Sequence, residues 1–196
     1  HGLSSAPEWI ILKSRGSAAD WLVFHKDITD SPTHIMFLNA TNANTDQSRF
    51  NDTNPTSSVF SVGPNNAENQ SSIGYVFYCF HSVEGYSKVG SYVGNNSTDG
   101  PFSFTGFRPA WLLIKRNDGT GWWGISDAVR STSNEVANTL AANYNYSEST
   151  LTSDLKLDFL SNGFKIRDTD AYYNASGGDY IYVAFAEAPF KFANAR

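Results

Sequence analysis

The feature that most constrains this chain is an internal repeat, since a duplicated sequence must fold as two copies of one unit. APEWIILKSR around Pro7 is answered by RPAWLLIKRN around Pro109, so that Trp9 matches Trp111 and Lys13 matches Lys115, each 102 residues later. ADWLVFHKD then faces GWWGISDAV, with Trp21 matched to Trp123 at the same offset. Phe60 in SSVFSVG matches Phe164 in SNGFKIR, and Tyr75 in GYVFYCFHSVEGYSKVG matches Tyr180 in DYIYVAFAEAPFKFANA. The offsets there are 104 and 105. Landmarks in one order with so little drift define a duplication, read as a first repeat over 1–90 and a second over 91–196.

Each half alternates short runs of Val, Ile, Phe, Tyr and Trp with Gly, Asn, Ser, Asp and Pro clusters, the signature of strands and turns. The runs are 9–14, 20–25, 34–38, 58–62 and 74–81 in the first half. In the second they are 102–105, 111–116, 122–126, 157–160, 163–167 and 179–186, with a further strand at 86–93 in the bridging segment. Runs that are apolar throughout, such as 9–12 and 111–114, suit strands buried on both faces. The expected fold is all-β: a tandem duplicated antiparallel β-sandwich of jelly-roll or concanavalin-like type, with at most one short helix, over 132–142 behind a Ser133 cap. The segment 86–93 has no counterpart before Trp9. Its equivalent at the other end is 190–194, expected to close the first half's sheet and interlock the repeats.

Composition narrows the function. In 196 residues the formal charge is −5, which lacks the basic footprint of a nucleic-acid binder. The one cysteine, Cys79, excludes a disulfide scaffold and reads as a packed thiol within YVFYCF. No apolar run approaches the length of a membrane helix, so no membrane insertion is expected. His1-Gly2, with neither an initiator Met nor an export signal, reads as the interior of a longer polypeptide.

Signals of catalysis are sparse. The four histidines show no paired ligand spacing. The loops 51–54, 117–119 and 168–170 could supply oxygen ligands to calcium, or be ordinary Asx turns. Glu84, Glu187, Asp127, Asp158 and Asp179 are the carboxylates a glycosidase would draw on, without a pairing visible in sequence. No GxSxG elbow is present. The expectation is a protein that is not an enzyme and needs no cofactor.

Aromatic residues in amide-rich loops remain, and sugars are recognised by that combination: rings stack on the apolar faces of pyranoses while polar side chains pair with hydroxyls. Trp122 has no aromatic counterpart in the first repeat, and if Trp123 points inward its neighbour Trp122 points outward. Tyr144 and Tyr146 share a face of an extended segment, and Tyr172 follows Asp168 and Asp170. These six residues are the candidate ligand contacts.

The stretches GLSSAPEWIILKSR, TSSVFSVG, GYSKVGSYVGNNSTDGPFSFTGFRPAW, FLSNGFKIR and NASGGDYIYVAFAEAPFKFANAR, together spanning Gly2 to Arg196, resemble a family common at the C-terminal ends of bacteriophage tail-associated and tail-fibre proteins. The resemblance implies a β-sandwich borne on a virion beside SPRY-like and concanavalin-like jelly-roll domains. It implies a host-attachment role, with host surface polysaccharide or lipopolysaccharide, other tail subunits and a homotrimer as expected partners. The alternative is a structural virion domain whose exposed aromatics bury at a subunit interface. Trp122, Tyr144 and Tyr146 depart from the family's usual pattern at their positions.

Overall fold

A computed structural model describes residues 1–147 and 155–188. The chain divides into two compact units, His1–His81 and Ser82–Arg196. The division falls before 90/91 because the strand at 87–93 pairs within the second unit.

The first unit is built on one antiparallel sheet. Its strands are β1 (Trp9–Ser14), β2 (Leu22–His25), β3 (His34–Phe37), β4 (Thr45–Asp46) and β5 (Tyr75–Phe80), with a one-turn helix α1 (Asn66–Asn69) before β5. The order is β4-β3-β2-β1-β5. Ile10, Leu12, Leu22, Phe24, Ile35 and Phe50 form its core, with Phe60, Val62, Tyr75 and Cys79 packed against it. Burial pushes the Cys79 thiol above its ordinary pKa, which disfavours the thiolate.

The second unit has two sheets. The larger contains β6 (Ser87–Val93), β8 (Pro109–Arg116), β9 (Gly124–Asp127), β10 (Thr139–Ala141) and β13 (Asp179–Ala186), in the order β10-β9-β8-β13-β6. The smaller contains β7 (Phe102–Phe104), β11 (Leu157–Leu160) and β12 (Gly163–Ile166), in the order β11-β12-β7, and α2 (Ala171–Asn174) precedes β13. Leu112, Ile114, Phe164, Ile166, Tyr180 and Tyr182 belong to one core drawn from both sheets. All strand pairs in both units are antiparallel.

The duplication is written into the strand register. Trp9 faces His25 on β2 and Phe80 on β5, and Trp111 faces Asp127 on β9 and Phe185 on β13. Those partners are related by the offsets of 102 and 105 found in the sequence. Leu22 pairs with Phe37 as Gly124 pairs with Ala141. A one-residue slip would turn every side chain to the other face, so shared register means shared cores.

Three expectations are corrected. The run 132–142 is not a helix: Thr139–Ala141 pairs with β9, and Val136 bridges to Leu157. The sheet edge supplies partners that weak helical patterning could not outweigh. The two helices lie instead at 66–69 and 171–174, one more than the single helix expected, each a single turn started by a cap. The run 58–62 forms no strand, although its counterpart 163–166 does. With no described second sheet in the first unit, Phe60 is only half-buried while Phe164 is fully enclosed. The segment 190–194, expected to close the first sheet, lies outside the described residues.

The repeated lysines close equivalent turns. Lys13 donates to the Ala19 carbonyl at 2.8 Å, and Lys115 donates to the Arg116 carbonyl at 2.6 Å and the Gly119 carbonyl at 3.4 Å. Lys115 is completely buried, and that burial, with the nearby Arg116 charge, lowers its pKa to about 7 against the opposing pull of Asp118. Between pH 7 and the unfolded lysine value the unfolded chain binds more protons than the folded one. Stability therefore rises with pH over that window, and the penalty is complete below it. We expect the unfolding free energy of the second unit to increase between pH 7 and pH 10, and Lys115→Met to flatten that slope. Urea titrations at several pH values check this, and equal slopes in the two proteins would contradict it.

Candidate functional site

Two four-residue helices and the turns beside them make the same corner in both units. In the first, the Asn65 side chain accepts from the Ala67 amide at 2.9 Å, and Glu68 accepts from the Asn65 amide at 3.2 Å, closing a capping box. In the second, the Asp170 side chain accepts from the Tyr172 amide at 2.7 Å. Asp168 in turn accepts from the Asp170 amide at 2.9 Å. The two aspartates singled out in the sequence thus set the backbone that presents Tyr172.

The strand side of the corner is also duplicated. Trp21 donates its amide to the Asn39 Oδ1 at 2.8 Å, and Trp123 donates to the Asn143 Oδ1 at 3.0 Å. Leu38 donates to the Trp21 carbonyl and Ala142 to that of Trp123, both at 2.9 Å.

On this shared frame the side chains diverge. In the first unit the corner carries Asp20, Ala40 and Ala67. Beside Asp20 and Ala67 lies an open cleft of about 340 Å³, also lined by Ser17, Ala18, Ala19, Asn66 and Gln70 and holding no aromatic ring. In the second unit the matching positions are Trp122, Tyr144 and Tyr172. Trp122 stacks on Tyr172 at 5.0 Å between ring centroids with 28° between planes, and meets Tyr144 edge-on at 6.0 Å. Tyr144 stacks on Tyr146 at 5.0 Å with 6° between planes. Tyr144 and Tyr146 are 41% and 50% exposed, and Trp122 and Tyr172 are half-buried. The four aromatic candidates, from three separated segments, form one continuous surface. Trp122 lies in the extended segment before β9 rather than on a strand, while Trp123 is buried as expected.

Replacing Asp20 by Trp122 has a polar consequence. Asn39 donates its Nδ2 to the Asp20 carboxylate at 2.8 Å. The equivalent Asn143 Nδ2 is buried with no hydrogen-bond partner among the described residues. An unmatched buried donor costs about 1–3 kcal/mol. The second unit carries this cost together with a partly exposed tryptophan.

Arg116 borders the platform and was not among the sequence candidates. It donates to the Asp118 carboxylate at 2.8 Å and to the Ala171 carbonyl at 3.1 Å. The hydrogen bond to Asp118 raises the guanidinium pKa further, so it stays charged. Gly121 leaves room here: a Cβ on it would stand 3.1 Å from the Arg116 Cβ and 3.7 Å from the Tyr172 ring. The signal for Arg116 lay in IKRN beside the Trp111 landmark, but only the fold brings it to Tyr172.

Three of the five carboxylates considered for catalysis are engaged in ion pairs: Asp127 with Arg130 at 2.6 Å, Asp158 with Arg167 at 2.6 Å, and Glu187 with Arg108 at 3.6 Å. In the loops considered for calcium, Asp52 accepts from the Ser48 hydroxyl at 2.9 Å and Asp118 pairs with Arg116. Among the described residues no group of three or more His, Cys, Asp or Glu side chains could hold a metal ion. No helix there is long and apolar enough to cross a membrane.

This duplicated frame is the unit to compare with known proteins. The chain belongs to the DUF7483 family, described as a domain of unknown function. The match covers residues 1–189, so one DUF7483 match takes in both the polar and the aromatic corner. No curated protein and no solved structure matches the chain.

Proposed function

We propose that this chain is a saccharide-recognition module, acting as a host-attachment domain at the distal end of a phage tail fibre or related virion adhesin. The observation that carries the reading is the stacked surface of Trp122, Tyr144, Tyr146 and Tyr172, built where the other copy of the unit has Asp20, Ala40, Asn42 and Ala67. Flat rings beside a charged Arg116–Asp118 pair match a pyranose, whose C–H face stacks and whose edge hydroxyls hydrogen-bond. The family resemblance supports the virion setting, and host polysaccharide or lipopolysaccharide is the ligand class proposed.

The reading is one of binding without turnover. Titration of the full chain with host surface polysaccharides, followed by tryptophan fluorescence and by array binding, should give saturable binding without release of reducing ends. No binding across such an array by folded protein would contradict the reading, and release of reducing ends would replace it with an enzymatic one. The exposure of Tyr144 and Tyr146 also favours a second reading, an interface between subunits, in which copies of the chain cover the platform. Sedimentation separates the two: an oligomer that dissociates on Trp122→Ala supports the interface.

A further inference from the structure

In the first unit Gln47, Ser48, Arg49, Pro64, Asn65 and Glu68 line a cleft of about 260 Å³ that contains an ion pair. The Glu68 side chain is fully enclosed, and both its oxygens are engaged: one accepts from the Asn65 amide at 3.2 Å, the other from the Arg49 Nη1 at 3.0 Å. A buried ion pair adds little stability, because desolvation offsets most of the attraction. The second unit builds its corner with the uncharged Tyr173 at the matching position, so the fold does not require the pair.

What the pair does is fix a guanidinium. Arg49 also donates its Nε to the Gln47 Oε1 at 2.7 Å, so two sides of the planar fork are held. Its backbone is held too: the Gly63 amide donates to the Arg49 carbonyl at 2.8 Å, and a Cβ on Gly63 would collide with the Ser48 carbonyl oxygen. The groups left over are donors. The Gln47 oxygen serves Arg49, and the Asn65 oxygen accepts from the Ala67 amide at 2.9 Å, so each amide keeps its NH2 group. Among the described residues no hydrogen bond engages Gln47 Nε2, Asn65 Nδ2 or Arg49 Nη2.

Three donor groups around one cleft, with the acceptors beside them already serving the protein, call for a ligand rich in acceptors. Glu68 balances the Arg49 charge, and Asp52, which accepts from the Ser48 hydroxyl at 2.9 Å, adds a negative charge nearby. A planar, singly charged carboxylate suits that field better than a doubly charged phosphate. Pro64 is the one apolar residue of the lining, so the rest of the ligand is hydroxylated rather than apolar.

We propose that this cleft binds the carboxylate of an acidic sugar, a uronate, through Arg49 Nη2 and the side-chain amides of Gln47 and Asn65. The proposal goes beyond the aromatic platform and does not rest on it, since its chemistry is set by the first unit alone.

The test is a titration of the isotope-labelled full chain with sodium glucuronate, followed by nuclear magnetic resonance, with methyl glucoside and inorganic phosphate as comparisons. Saturable shifts of the Arg49 Nε–H and of the Gln47 and Asn65 side-chain amide signals are expected with glucuronate, and not with the uncharged glucoside. Gln47→Glu keeps an oxygen for Arg49, and Asn65→Asp keeps the cap on α1, but each removes a donor and adds a negative charge. Both variants should unfold cooperatively and bind glucuronate at least tenfold more weakly. Absence of saturable shifts overturns the proposal, as does equal binding of glucuronate by the parent and either variant. Glucuronate shifts confined to the Trp122 and Tyr172 signals would assign the uronate to the platform and overturn it, and tighter binding of phosphate at Arg49 would overturn the carboxylate.

Discussion

Phe164→Ala should destabilise the second unit by about 3–5 kcal/mol, whereas Phe60→Ala should cost the first unit about 1–2 kcal/mol, although the two residues are repeat counterparts. Phe164 is fully buried between sheets, edge-on to Tyr182 at 5.0 Å and to Tyr92 at 6.1 Å. Its removal leaves a cavity that β12, held on both sides by β11 and β7, cannot collapse to fill. Phe60 lies in a segment outside any strand, touching Phe50 at 6.4 Å and Phe77 at 5.1 Å, and its half-exposed ring has less transfer energy to lose. Amide exchange resolved by unit measures both losses in one protein. Equal losses would mean that the first unit encloses its core as the second does, against the burial described.

The strands were legible because their apolar runs are long enough to rise above the turns, and the offsets of 102 and 105 carried through to the register of Trp9 and Trp111. Equivalence of sequence did not guarantee equivalence of environment, as Phe60 and Phe164 illustrate. What a residue buries depends on which sheet covers it, and the second sheet's partner strands come from distant segments. Compensating exchanges were hidden for the same reason. Leu22 and Glu68 of the first unit become Gly124 and Tyr173 in the second, where a Cβ on Gly124 would stand 2.8 Å from the Tyr173 ring. One side of the corner shrinks as the other grows, which only coordinates reveal.

The candidate site was legible residue by residue but not as a surface. Trp122, Tyr144 and Tyr146 stood out as aromatics without partners in the other repeat, and Tyr172 as an aromatic following Asp168 and Asp170. Their convergence follows from the corner geometry shared by both units. Asp168 and Asp170 were singled out with them, and one oxygen of each holds the turn and cap beneath Tyr172. The capping signal was present in Asn65-x-x-Glu68, though a single turn leaves no periodic pattern to confirm it. The unmatched donor of Asn143 was not legible in the sequence, because its isolation appears only when Asp20 and Trp122 are placed at the same site.

That comparison supplies the largest functional effect. In the variant Trp122→Asp, the residue of the first copy is put into the second, and its carboxylate meets the Asn143 Nδ2 as Asp20 meets that of Asn39. A hydrogen bond to a charged group contributes about 1.5–3 kcal/mol, which offsets part of what Trp122 supplies: two aromatic contacts at about 0.5–1.5 kcal/mol each, beyond the burial of its half-buried ring. The variant should therefore remain folded while losing the central ring of the platform. Side by side, saccharide titration and thermal unfolding of the parent and Trp122→Asp test the central claim, that divergence at a duplicated corner made the binding site. The account predicts saccharide affinity reduced at least tenfold in a variant that still unfolds cooperatively. Unchanged affinity in a folded variant would contradict it.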